Sequence, residues 1–242
     1  MLTKVIRQIH GESDATYGSP RIHLEIRAMG HHTGRKRIAR LMRQSGLRAR
    51  HFRRYKHTTQ SGHHLAVAPN VLGGRFEVKH LDTVWAGDIT YLWTCEGWLY
   101  LAVILDLCSR RIVGWSMGAR ITKELVVDAL RKALGGRLPE RGLLYHSDRG
   151  SQYASNDYQM LLDRHGVRAS MSGRGNCYDN AVVEAFFASL KRERTHGKRY
   201  GSREEAYRDV FDYIEVFYNR RRRHSSIGGI SPDAFEKRLK CA

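Results

Sequence analysis

Cysteine is sparse in this 242-residue chain. The four present, Cys95, Cys108, Cys177 and Cys241, never fall in C-x-x-C spacing, and none precedes position 95. That excludes a disulfide framework and a structural zinc cluster of paired cysteines. It also excludes a His/Cys zinc finger near the N-terminus, despite the pairs His31-His32 and His63-His64. A reducing, cytoplasmic setting is the simplest reading. No apolar run approaches the roughly 20 residues of a spanning helix, and neither an amphipathic anchor nor a signal peptide opens the chain, so no membrane partner is expected. Acidic residues are scarce too: 24 Asp and Glu stand against 42 Lys and Arg, a net charge of +18. Such an imbalance points to a polyanion, because each phosphate met by Lys or Arg releases condensed counterions. On charge alone a basic protein of ribosomal type remains the bland alternative.

What is present is enough to fold: 41% of residues are hydrophobic and 10% aromatic, which argues against extensive disorder. Residues 1–60 carry 14 Lys and Arg against three acidic residues. Ser19-Pro20 ahead of Ile22, Leu24 and Ile26, then Gly30, then Thr33 as a cap before Ile38, Leu41 and Met42, predict a short helix, a turn and a second, basic helix. Such a pair is either a helix-turn-helix reader with Arg35, Lys36 and Arg37 on DNA, or a plain helical hairpin touching phosphate. Residues 61–81, with Ser61-Gly62, Pro69 and Gly73-Gly74, read as a linker. From 82 the pattern changes. Strand-like runs at 83–93, 98–107 and 111–117 break at Glu96-Gly97 and Ser109-Arg110, giving three antiparallel strands. A helix over 122–134, a short buried strand at 143–146, a helix near 155–165 and a strand at 167–171 follow. The order βββαβαβ predicts an α/β fold with a mixed five-stranded sheet covered on both faces. A long helix capped by Asp179 runs to about Thr195, and Ser202 opens another through Tyr218, so a C-terminal helix and basic tail occupy 201–242.

Three carboxylates stand in unusual surroundings. Asp88 interrupts a largely apolar strand, where an unpartnered charge is costly. Asp148 ends the fourth strand, where sites in α/β sheets collect. Glu184 lies one turn into a helix among Ala181, Val182, Val183, Ala185 and Phe186, and Asn180 and Ala188 leave it no cation four residues away. Each has an ordinary alternative: a strand-edge charge, a turn cap, half of a helical ion pair. Between Asp88 and Asp148 lie 59 residues, and between Asp148 and Glu184 lie 35. Hard oxygen donors on rigid elements are what Mg²⁺ takes for phosphoryl transfer.

The chain resembles the OrfB-type insertion-sequence transposases, whose catalytic core is similar to retroviral integrase and ribonuclease-H-like. The likeness is carried by Trp85-Ala86-Gly87-Asp88-Ile89-Thr90-Tyr91, His146-Ser147-Asp148-Arg149-Gly150-Ser151-Gln152-Tyr153, Asn176-Cys177-Tyr178-Asp179-Asn180-Ala181, Glu184 with Phe186-Phe187, Leu190-Lys191, and the tail from Tyr218-Asn219 to Ser231-Pro232-Asp233-Ala234-Phe235. Even Tyr17-Gly18-Ser19-Pro20-Arg21-Ile22 resembles the basic segment ahead of the family's core. The resemblance covers nearly the whole chain. It implies an acidic triad of Asp88, Asp148 and Glu184 holding two Mg²⁺ or Mn²⁺ ions within a core at 82–200. It also implies a DNA-contacting Lys191 on the same helix face as Glu184, cleavage and strand transfer of element ends, and a homo-oligomer on DNA. Relatives act with an upstream helix-turn-helix and coiled-coil segment from a preceding frame, so a fusion partner of that kind is expected. Arg149, Arg194 and the run Arg220, Arg221, Arg222 and Arg223 are expected along the DNA path. Asn180 is expected either to orient Glu184 or a phosphate, or to help cap its helix. The rival readings are a nuclease of the same fold without strand transfer, and a DNA-binding derivative without catalysis.

Overall fold

The computed structural model describes residues 1–50, 67–173 and 180–241. The N-terminal segment holds three helices rather than two: α1 (Leu2–Glu12), α2 (Ser19–Ala28) and α3 (Arg35–Gln44). Ile6, Ile9, Tyr17, Ile22, Ile26, Ile38 and Met42 bury one another in a separate small core. Leu2, Val5, Ile6 and Ile9 already mark an amphipathic first helix in the sequence, and the two-helix reading passed over it. Pro20 sits in the first turn of α2, where its missing N–H costs nothing. The cap of α3 is Gly34, not Thr33. The Thr33 carbonyl instead accepts from His23 Nε2 at 3.0 Å.

Beyond lies the expected sheet. Strands β1 (Val84–Thr94), β2 (Gly97–Asp106) and β3 (Ile112–Gly118) are antiparallel neighbours, while β4 (Leu144–Ser147) pairs in parallel with β1 and β5 (Arg168–Met171) in parallel with β4. The order β3-β2-β1-β4-β5, with helices on both faces, is ribonuclease-H-like. Helices α4 (Lys123–Arg137) and α5 (Asn156–Arg164) cover one face through Leu125, Val126, Leu130, Tyr158 and Leu162. Gly114 permits this, since a Cβ there would meet the Ala129 carbonyl oxygen at 2.4 Å.

Helices α6 (Ala181–Leu190) and α7 (Arg203–Phe211) cover the other face. Each continues into a π-helical segment, Lys191–Thr195 and Asp212–Tyr218. Ser202 caps α7 as expected, its hydroxyl accepting from Glu205 N at 3.1 Å, whereas the Asp179 cap lies outside the described residues. A division at residue 200 is not seen: Tyr200, Ala206, Val210, Tyr213, Ile214 and Tyr218 pack in one cluster with Leu92, Leu101, Val103, Val183 and Phe186. A last helix, α8 (Pro232–Lys240), follows a short 3₁₀ turn. Phe217 packs against both the sheet cluster and the N-terminal one, joining the two.

Candidate catalytic site

The parallel pairing of β1 with β4 determines the centre of the site. Ala86 pairs with His146, and two residues further along each strand come Asp88 and Asp148. Both side chains therefore leave the sheet on the same side, Asp148 just past the end of β4 and Asp88 midway along β1, two residues beyond its last pairing with β4. Backbone holds one oxygen of each: Ile89 N donates to Asp88 Oδ1 at 2.7 Å, and Gly150 N donates to Asp148 Oδ1 at 2.9 Å. Capping and convergence thus coexist. Burial first, then the charges of Asp148 and of Glu184, push the Asp88 carboxyl up to about 8, against the opposing hydrogen bond from Ile89 and the charge of Lys191. A carboxyl so displaced is short of positive charge.

Glu184 stands exposed on the first turn of α6. The helix is tied to β1 by Asn180, at its cap position, whose Nδ2 donates to the Gly87 carbonyl at 3.2 Å. Asn180 makes no side-chain cap for α6; its buried Oδ1 meets no donor among the described residues. Among those residues no three acidic, histidine or cysteine side chains stand close enough together to enclose an ion. The three carboxylates are therefore linked through their charges and not as a closed cluster. The donor set still suits a hard divalent cation: two carboxylates on neighbouring strands, a third within electrostatic reach, and one of the three pushed far out of its normal range. Lys191 reaches the same place. Its charge acts on Asp88, and desolvation lowers its own pKa.

Gly87 and Tyr145, neither singled out by sequence, support Asp88 from beneath. A Cβ on Gly87 would fall 1.9 Å from the Tyr145 hydroxyl, so only glycine fits. Tyr145 packs with Tyr158 and Tyr153, at ring centroid separations of 5.6 Å and 6.3 Å. Burial raises the phenols of Tyr145 and Tyr153, and the charges of Asp88 and Asp148 raise them further. A buried tyrosine directly before His146 in so short a strand was the available signal. Two tempting neighbours are structural. His146 is buried between the Ser170 and Ser172 hydroxyls, at 2.9 Å and 3.2 Å from its ring nitrogens. Asp106 accepts from Asp82 N, Cys108 N, Ser109 N and the Ser109 hydroxyl.

The basic residues divide. Arg35, Lys36 and Arg37 are exposed at the start of α3, and Arg220 and Arg221 are also exposed. Arg149 donates from Nε to the Ser172 carbonyl at 2.7 Å. Arg194 is held by Asp14 at 2.6 Å, by Asp209 at 3.3 Å and by Asp212. Arg222 corrects the expectation of an unbroken arginine surface: it is buried, donating to Glu193 at 2.6 Å and 2.7 Å and to the Ser189 hydroxyl at 3.0 Å. Arg223 is turned to Glu25 of α2, at 2.6 Å and 2.8 Å. A guanidinium that matches a carboxylate fork is satisfied there.

Comparison with known proteins agrees with this architecture. Residues 79–177 and 184–239 match models described as integrase core domain, and residues 1–56 match an HTH-like domain. The transposase InsF for insertion sequence IS3A of Escherichia coli (strain K12) is 50% identical over 226 residues, covering 93% of this chain and 78% of the relative. The insertion element IS600 uncharacterized 31 kDa protein of Shigella sonnei is 46% identical over 233 residues, 96% of this chain and 86% of the relative. Among solved structures, the HTLV-2 integrase catalytic core domain in complex with magnesium matches at 15% identity and a TM-score of 0.46, over 64% of this chain and 95% of that one. No helix among the described residues is long and apolar enough to cross a membrane. With half its residues shared with InsF over nearly its full length, the chain belongs to the insertion-sequence transposase family with an integrase-type core.

Proposed function

We propose that this protein is a DNA transposase that cuts the ends of its element and joins them to target DNA, with Asp88, Asp148 and Glu184 as the acidic triad. One observation carries the reading: Asp88 of β1 and Asp148, just past the end of the neighbouring parallel strand β4, leave the sheet on the same side, and Asp88 is pushed to about 8 by burial and by the charges of Asp148 and Glu184. Those three carboxylates would hold Mg²⁺ or Mn²⁺, two ions in the full site. Divalent cations there neutralise charge at a scissile phosphate and make the attacking oxygen more acidic.

The chain's own groups do the rest. Lys191, beside Asp88, meets a phosphate oxygen near the reacting position. Asn180 keeps Glu184 in reach by fastening α6 to the Gly87 carbonyl. Arg35, Lys36 and Arg37 on α3, with Arg149, Arg220 and Arg221, hold the backbone of the DNA farther off. In cleavage, water adds to phosphorus, the bond to the 3′ oxygen breaks, and that oxygen leaves as a 3′-hydroxyl after taking a proton. In joining, that hydroxyl attacks a target phosphodiester and the target's own 3′ oxygen leaves. Joining two ends to one target requires copies of the chain to act together on DNA, consistent with a homo-oligomer and with help from an upstream-frame partner.

Asp148→Asn removes one charge while nearly keeping shape. Incubated with labelled element-end DNA and Mg²⁺ or Mn²⁺, the variant is expected to bind DNA normally and to lose cleavage and joining by at least about a thousandfold, as for loss of groups that act as a unit. Cleavage at the unaltered rate would refute the triad. Cleavage by the unmodified protein without joined strands would favour a plain nuclease.

A further inference from the structure

The β1–β2 ribbon runs well past the site. Strand β4 pairs only with Val84, Trp85 and Ala86, whereas β1 and β2 stay paired out to Thr94 and Gly97. One face of this projecting ribbon is covered. Leu92 and Leu99 join the core, Thr94 bridges to Tyr200, and Arg203 donates from Nε to the Trp98 carbonyl at 3.1 Å. The opposite face carries aromatics: Tyr91 opposite Tyr100, and Trp93 opposite Trp98. Trp93 is 60% exposed, and Tyr91 and Trp98 are each 43% exposed. Their mutual contacts are edge-on, with centroids 4.7 Å apart for Trp93 and Trp98 and 5.0 Å for Tyr91 and Trp98.

Three large aromatics side by side in water need a reason. Cross-strand pairing of rings stabilises a ribbon by only a fraction of a kcal/mol to about 1 kcal/mol per pair, and this ribbon is already fastened from behind. Asp88 shares the covered face with Leu92, so the aromatics lie across the ribbon from it, and one cation bridges the two faces: Lys191 Nζ lies 5.0 Å from the Tyr91 ring centroid, and the same charge acts on Asp88. An ammonium for phosphate, next to a rigid aromatic surface, is the chemistry of a nucleotide whose base is out of its stack. The net charge of +18 favours a polyanion on this face over a second, equally basic copy.

We propose that Tyr91, Trp93 and Trp98 form a platform, across the ribbon from Asp88, on which an unpaired base near the end of the DNA strand being processed stacks after passing the free edge of β1, while the scissile phosphate of that strand lies at Asp88 and Asp148. This rests on the triad reading above. The platform would offset the unstacking needed to bring a paired end into the site.

The test compares the full chain with its Trp93→Ala variant on two duplexes: a paired element end, and the same end with mismatches flanking the scissile phosphate. Trp93→Ala is expected to slow cleavage of the paired end about tenfold and to leave the mismatched end within about twofold of the unmodified protein. Equal loss on both ends, or none on either, overturns the platform. Gel filtration on the same samples covers the other occupant: a Trp93→Ala protein that falls to a smaller species, with an unchanged ratio between the two DNAs, would assign the face to a second copy and overturn the proposal. A parallel arm in the Asp148→Asn background reads binding alone. There Trp93→Ala should erase the preference for mismatched over paired DNA, so failure of the triad and failure of the platform give different results.

Discussion

His224 shows how far tertiary surroundings override a residue's ordinary chemistry. Half-buried against Arg222, whose NH1 lies 3.1 Å from its Nε2, it is pushed down to about 3 by desolvation and by that neighbouring charge. Its folded pKa lies below its ordinary one of 6.5, so between these values the unfolded chain binds the extra proton and stability rises with pH. The contribution is therefore fully present above about 6.5 and is lost as pH falls toward 3. His224→Gln keeps an acceptor without titrating. Relative to the unmodified protein, the variant should lose less stability on acidification, the gap reaching at most about 4–5 kcal/mol near pH 3. Urea denaturation at a series of pH values checks this, and parallel curves for the two proteins would contradict it. Asp88, Asp148 and Glu184 each stand out in the sequence against their local pattern, whereas Lys191 is singled out only by the family resemblance. Nothing local distinguishes Arg222 from Arg220, Arg221 or Arg223. Only folding reveals that a carboxylate at Glu193, a hydroxyl at Tyr213 donating to it at 2.9 Å and Ser189 are waiting for one of the four.

At the scale of elements, the join between β1 and its neighbours governs the chemistry. Gly87→Ala would drive a methyl into the Tyr145 hydroxyl, and either β1 or β4 must give way. Since Asp88 and Asp148 sit just beyond that join, the shift should cost on the order of a hundredfold in cleavage with a smaller loss of DNA binding. Cleavage rates at saturating DNA measure it, and full activity would show that the strands can part without moving the acids. Runs dense in Val, Ile, Leu, Trp and Tyr, broken at Glu96-Gly97 and Ser109-Arg110, make β1, β2 and β3 legible, and shorter apolar runs do the same for β4 and β5. The π-helical segments at Lys191–Thr195 and Asp212–Tyr218 were not, because the same apolar pattern suits an α-helix. Charge hides packing past residue 200 in a related way: the segment is rich in Lys and Arg, yet Ala206, Val210, Tyr213, Ile214 and Tyr218 help complete the sheet's core.

Over the whole molecule, charge is divided between cations paired with the protein's own carboxylates, such as Arg194, Arg222 and Arg223, and cations exposed to solvent, such as Arg35, Lys36 and Arg37. Alanine at Arg35, Lys36 and Arg37 together should lower the slope of log affinity against log salt by up to about 0.9 for each phosphate that no longer meets a cation, while cleavage of prebound DNA stays near normal. A salt slope equal to that of the unmodified protein would remove α3 from the DNA. Arg194 would give a different signature, since its loss strips a cation from Asp14, Asp209 and Asp212 and should show first as lower thermal stability.

The docking of α2 against the C-terminal arginines has a mechanical consequence. Glu25 grips Arg223, the Tyr17 hydroxyl donates to the Arg221 carbonyl at 3.3 Å and accepts from Arg223 N at 2.9 Å, and Phe217 is wedged between the two cores. If α3 reads the element end, these contacts fix the span between the reader and the scissors as a caliper does. Loosening them with Arg223→Ala should leave a protein that still cuts but whose incision sites scatter over neighbouring phosphates, visible as a ladder on a sequencing gel where the unmodified protein gives a single band.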